Sequence, residues 1–166
     1  ILWTMRYEMP LAIRARMIRE SGRGGAVPVT LSAELVFERG VTASLFCSFE
    51  TEHQQWVHLS GTKGSLHVPD FVLPFHGPEL AFTVERSHFE MDGSDFNMER
   101  HPQRFAVREY ANSHPTSQET RLFRRFGELA LGGQPDPHWP AISLKTQRIL
   151  DACLLSARDG GREVAP

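Results

Sequence analysis

The sequence lacks any apolar run near the ~20 residues that a membrane-spanning helix needs, so no membrane partner is expected. It has only two cysteines, Cys47 and Cys153, too few for a disulfide framework. One falls in an expected strand and the other in an expected helix, so both are expected to be buried and reduced. It contains no HExxH or CxxC spacing, and no metal is expected. Its eight histidines form no ligand set: His53 and His58 are an odd number of residues apart, which on a strand puts them on opposite faces. A strand–GxGxxG–helix unit, which would hold a dinucleotide pyrophosphate at a helix N-terminus, is also missing. Gly22-Arg23-Gly24-Gly25 and Gly61-Thr62-Lys63-Gly64 are each followed by strand-like sequence and read as hairpin turns. Neither sign of charge dominates; a net charge of −2 gives no reason to expect nucleic acid. There is no signal-peptide pattern and no initial Met, so Ile-Leu-Trp reads as the start of a piece of a longer protein. Its expected location is cytoplasmic.

The 166 residues, 40% hydrophobic and 23% charged, suit one globular domain with a real core. The chain is organised around residues 27–60. In residues 27–37, Val27, Val29, Leu31, Ala33, Leu35 and Phe37 alternate with Pro28, Thr30, Ser32, Glu34 and Val36. In residues 41–49, Val41, Ala43, Leu45, Cys47 and Phe49 alternate with Thr42, Ser44, Phe46 and Ser48. A period of 2 predicts two strands, each with one apolar and one small, mostly polar face. Arg39-Gly40 supplies the reversal between them.

Around this hairpin the pattern is coarser. Residues 1–8 look like the last turns of a helix, ended by Pro10. Leu11, Ile13, Ala15 and Met17 alternate as a first strand. Residues 55–60, 65–68, 80–89 and 104–110 read as further strands, with 91–102 a polar excursion. Thr116 and Glu119 have capping-box spacing. Leu122, Phe123, Phe126, Leu129 and Ala130 then recur at helical spacing up to Gly132-Gly133. Ser143 is placed to cap a second helix with a stripe of Thr146, Ile149, Leu150, Cys153 and Ala157, ended by Gly160-Gly161. Residues 162–164 add a last short strand. The fold class is α+β: a mainly antiparallel, open-faced sheet with two long helices packed on one face.

The other face carries Thr30, Ser32, Glu34, Thr42, Ser44 and Phe46. Antiparallel sheets allow such a face either to be solvated or to meet a second subunit. The loop from Phe71 to Pro78 offers Phe71, Phe75 and His76 as candidate substrate contacts, against the plainer reading that the phenylalanines plug a sheet edge. Glu50 and Glu52 share a strand face as an acid/base pair would, or form a solvated strand end. Ser156 lies late in a helix without a histidine partner, so a nucleophile reading is weak.

Four stretches in order resemble the C-terminal domain of the Gfo/Idh/MocA family of glucose–fructose oxidoreductase and inositol dehydrogenase relatives. They are Ala33-Glu34-Leu35-Val36-Phe37-Glu38-Arg39-Gly40-Val41-Thr42-Ala43; Ser48-Phe49 with Leu59-Ser60-Gly61-Thr62-Lys63-Gly64-Ser65-Leu66; Glu119 through Phe126 to Gly132-Gly133; and Ser143 through Asp151-Ala152 to Ser156-Ala157-Arg158-Asp159-Gly160. The resemblance implies a parent NAD(P)-dependent oxidoreductase for a sugar, polyol or related CH–OH compound. Its NAD or NADP would be held mainly by an upstream Rossmann domain, and its catalytic lysine would lie there too. It implies that this chain, residues 1–166, is the substrate and oligomerisation domain, inactive alone, dimerising through the open face. The family's catalytic helix motif has no match in residues 1–8, so no catalytic residue is carried over. A stand-alone assembly module and a small hydrolase using Glu50, Glu52 or a histidine remain the alternatives.

Overall fold

A computed structural model of the chain describes residues 1–21, 27–72, 79–108 and 114–166. The described elements confirm the α+β class, with seven antiparallel strands and two helices. They divide into two compact units, residues 1–52 with 135–166, and residues 53–134. The single sheet expected from the sequence is two sheets, one in each unit.

The first unit holds β1 (Ala12–Ser21), β2 (Val27–Val36) and β3 (Thr42–Ser48) in the order β1-β2-β3. Ile13 pairs with Leu35 and Leu35 with Ala43; Ala15 pairs with Ala33 and Ala33 with Leu45. Cross-strand partners share a face, so the alternation in three strands adds up to one apolar surface. Helix α2 (His138–Arg158) packs on that surface through Ile149, Ala152 and Cys153. With Ile13, Ala15, Leu31, Ala33, Leu35 and Phe37 they form the buried core. The β2–β3 reversal is a single 3₁₀ turn, Glu38–Gly40, in which both Arg39 (φ 60°) and Gly40 (φ 72°) are left-handed.

Three expectations shift here. Helix α2 begins at His138, five residues before Ser143, whose hydroxyl instead donates to the Trp139 carbonyl within the helix. Pro140 is tolerated because it sits in the first turn, where a backbone N–H has no intrahelical acceptor. The stripe of α2 is rotated: Ala152 and Ser156 are buried, whereas Leu150 is exposed. Of the two cysteines, Cys153 is buried and Cys47 is exposed near the uncovered end of β3. Burial, and then the nearby Cys47 thiol, hold the Cys153 thiol above its ordinary pKa. The native protein is therefore expected to show one fast thiol in a disulfide-exchange reagent and a second that reacts only on unfolding. Cys47→Ser removes the fast phase alone.

Residues 1–7 carry the hydrogen bonds that close a helix. The Tyr7 N–H donates to the Leu2 carbonyl (2.7 Å) and the Arg6 N–H to the Trp3 carbonyl (3.1 Å), the paired bonds of a Schellman motif. Arg6, at φ 52°, is its left-handed residue. The segment closes there, before Pro10. The final strand expected at 162–164 is one bridge, Val164 against Ile13, with bonds of 2.8 and 3.0 Å.

The second unit holds β4 (Val57–Gly61), β5 (Gly64–Val68), β6 (Glu79–Asp92), β7 (Asp95–Arg108) and helix α1 (Gln118–Gly132). Its sheet order is β4-β5-β6-β7. Gly64 (φ 148°) is required at the β4–β5 turn, because a Cβ there would meet the Glu85 carbonyl oxygen at 2.5 Å. Helix α1 starts one residue later than the capping box suggested. Ser117 is its N-cap and accepts from the Thr120 N–H, while Thr116 donates to the Arg108 carbonyl. It stops at left-handed Gly133. Within the first unit α2 packs on the sheet, while α1 belongs to the second unit, and none of its residues is buried. The excursion expected at 91–102 is instead the end of a long β6–β7 hairpin, with Gly93 (φ 62°) in its turn.

Candidate interaction surface

The alternation that buries one face of the first sheet presents the other in rows. Arg14, Glu34 and Ser44 form one row; Arg16, Ser32 and Phe46 the next; Ala12, Val36 and Thr42 a third. Glu34, Thr42, Ser44 and Phe46 are exposed and Ser32 is half-buried. No described element of this unit packs on them, since the helix partner of the sheet lies on the apolar side. The structure thus brings five of the six candidate interface residues together as one accessible patch.

Thr30 differs from the other five. It is buried, and its hydroxyl pairs with the Ser48 hydroxyl at 2.8 Å and reaches the Glu50 carboxylate at 3.3 Å. The Glu50 N–H in turn donates to Ser48. These contacts tie the β3 exit to β2, and they give Glu50 a place in a turn rather than on a strand beside Glu52. Arg14 and Arg16 were not among the candidates. The sequence signal for them was present, as they occupy the alternate positions of β1. Arg14 also meets Glu163 at 3.0 Å, both side chains well exposed. The patch is therefore small hydroxyls around one exposed phenylalanine, with both charge signs along one edge. Such a surface suits a polar, wet protein contact better than a dry one.

Of the proposed substrate loop, Phe71 is half exposed, and its N–H donates to the Gln55 carbonyl at 3.0 Å beside the Gln55–Asp70 side-chain pair. Phe75 and His76 lie outside the described residues.

In the second unit the sheet has a polar face of its own. His58 and His67 are opposite each other, their rings 6.0 Å apart. Nearby, Glu85 takes a two-pronged ion pair from Arg100 at 2.6 and 2.7 Å, and Glu79 pairs with Arg104. The Arg100 hydrogen bond holds the Glu85 carboxyl below its ordinary value against the opposing effect of desolvation, with smaller help from the charges of Arg100 and His58. A carboxyl lowered on folding stabilises above its unfolded pKa and loses that contribution as pH falls through the folded one. Carboxyl NMR titration is expected to place Glu85 below an ordinary glutamate, and Arg100→Gln to return it.

Among the described residues no cluster of three or more His, Cys, Asp or Glu could hold a metal ion. No described helix is long and apolar enough to cross a membrane. Ser156 is fully buried and engaged by backbone on both sides, which leaves it no nucleophilic role. A scan against models of protein families finds none that matches the chain.

Proposed function

We propose that this chain is the substrate-side and oligomerisation part of an NAD(P)-dependent oxidoreductase acting on a sugar, polyol or related CH–OH compound. The observation that carries this reading is the first unit. It has a sheet with one face closed by α2 and the other left as a patch of hydroxyls around Phe46. The order of elements agrees with the four stretches that resemble the family. The 33–43 hairpin turns on a left-handed Arg39-Gly40, the 59–66 stretch is the tight β4–β5 hairpin, and the 143–160 stretch is the closing helix. In this reading NAD or NADP is held mainly by a Rossmann domain outside residues 1–166. The chain supplies a dimer contact and the wall on which the substrate lies. No residue here is assigned to proton or hydride transfer.

The second reading is a stand-alone assembly module. The unburied apolar stripe of α1 favours it, because that stripe asks for a protein surface and not for a small ligand. Both readings share self-association through the first sheet, which sedimentation equilibrium tests. The chain is expected to be dimeric, and Phe46→Asp, an exposed site, to weaken association at least tenfold. A chain that stays monomeric at every concentration would remove the open face as an interface.

A further inference from the structure

The tight β4–β5 hairpin sets two histidines side by side. Its strands close with Gly61 against Gly64 around the two-residue turn Thr62-Lys63. The pair that closes such a turn exchanges both backbone hydrogen bonds, and bonded and non-bonded pairs alternate from there. Leu59–Leu66 is therefore a bonded pair and His58–His67 a non-bonded one. Non-bonded partners bring their side chains closest, with Cα atoms ~4.5 Å apart. The two rings are 6.0 Å apart between centroids, and both residues are exposed. The backbone beneath them is held on both sides of β5, by β4 and by β6.

Three other histidines are committed elsewhere. His88 meets Glu90 at 2.8 Å, His101 meets Glu99 at 3.2 Å, and His114 bonds the Thr116 hydroxyl at 2.8 Å. Around His58 and His67 the same face carries hydroxyls. Ser60 lies 3.4 Å from His58 Nε2 with Ser65 opposite it, and Thr83 stands beside His67. Arg100 and Arg104 share this face, but Arg100 is neutralised by Glu85 and Arg104 by Glu79. A cation arriving at the hairpin meets two imidazoles in a polar surround.

We propose that His58 and His67 together chelate one divalent transition-metal ion of the zinc–copper class, with water in its remaining positions. Imidazole nitrogen suits these ions, whereas Mg²⁺ and Ca²⁺ take oxygen ligands. Two rings that share one zinc, each nitrogen ~2.0–2.1 Å from it, stand about 5 Å apart between centroids. The pair has to close by ~1 Å, which small rotations about the soft χ2 of two exposed rings supply. Two protein ligands make an open, exchangeable site, unlike the four of a structural zinc. Glu85 is not a third ligand, because both its oxygens are taken by Arg100. The ligands sit on different strands, so no short sequence motif marks them. The site is independent of the oxidoreductase reading, and either can fail alone.

The test titrates ZnCl2 into the untagged 1–166 chain while the histidine ring signals are followed by NMR. The His58 and His67 signals are expected to move first and together, saturating at one zinc per chain. His58→Gln and His67→Gln are each expected to weaken binding at least tenfold. The double substitution is expected to lose no more than either single one, because a chelate fails when either arm is gone. His88→Gln, at an ion-paired histidine, leaves zinc binding unchanged. The ring signals of the unsubstituted chain keep the test independent of how the variants fold. Separate, additive losses from His58→Gln and His67→Gln would show two unconnected surface histidines and overturn the proposal. So would unchanged affinity in either variant, saturation at one zinc per two chains, or zinc moving other histidine signals first.

Discussion

Phe37→Ala lowers the unfolding free energy of the first unit by about 3–5 kcal/mol, the usual cost of emptying a phenylalanine site in a closed core. Phe37 is 1% exposed, at the point where β2 leaves the sheet. Its N–H donates to the Val41 carbonyl at 2.8 Å, which fixes the backbone and keeps the neighbours from collapsing into the space. Phe49 is the natural comparison. It stands on the same expected apolar face but is 87% exposed, so Phe49→Ala changes stability by no more than ~0.5 kcal/mol. Urea unfolding followed by circular dichroism measures both. Equal effects from the two substitutions would mean that the core does not lie where α2 crosses the sheet.

Ser156→Ala costs about 2–4 kcal/mol although it removes a single oxygen. The hydroxyl is fully buried and accepts from the Ala15 N–H at 2.9 Å while donating to the Arg162 carbonyl at 2.6 Å. It therefore joins the end of α2 to β1 and to the chain that returns for the Val164–Ile13 bridge. Deleting it strands the buried Ala15 N–H, worth ~1–3 kcal/mol when left without a partner, and releases the part-buried Arg162 carbonyl as well. Ser143→Ala is the control. That hydroxyl also bonds a carbonyl, but on the exposed side of the same helix, and its loss shifts stability by at most ~0.5 kcal/mol. If the two serines behave alike, the buried bridge is not what holds α2 to the sheet.

Ser156 also shows where sequence reading stops. Its helix and its position near the end of that helix were legible from the stripe and from Gly160-Gly161. Its partners were not, because Ala15 is 141 residues away and a hydroxyl signals nothing about its acceptor. The first sheet was legible almost residue by residue, since one covered face enforces strict alternation over 31, 33 and 35 and over 43 and 45. The β6–β7 hairpin was half legible for the opposite reason. Its apolar residues change faces, from Leu80, Phe82 and Val84 at the base to Phe89 and Met91 at the tip, so no single alternation spans the strand. Residues 91–102 consequently read as a polar excursion. The start of α2 was missed because Pro137 and Pro140 look like a linker, though a first helical turn accepts proline. Parity alone puts five of the six candidate residues on one exposed face, and Thr30 departs from them because Ser48 and Glu50 close over it.

The proposed oxidoreductase role requires that residues 1–166 work beside a nicotinamide-binding domain. Calorimetric titration of NADH and NADPH into two proteins tests it: the product of the complete coding sequence, and the 1–166 chain alone. Saturable binding of one nucleotide by the complete product, and of neither by the 1–166 chain, is the predicted result. A complete product that binds neither nucleotide would contradict the oxidoreductase reading and leave the assembly module in its place.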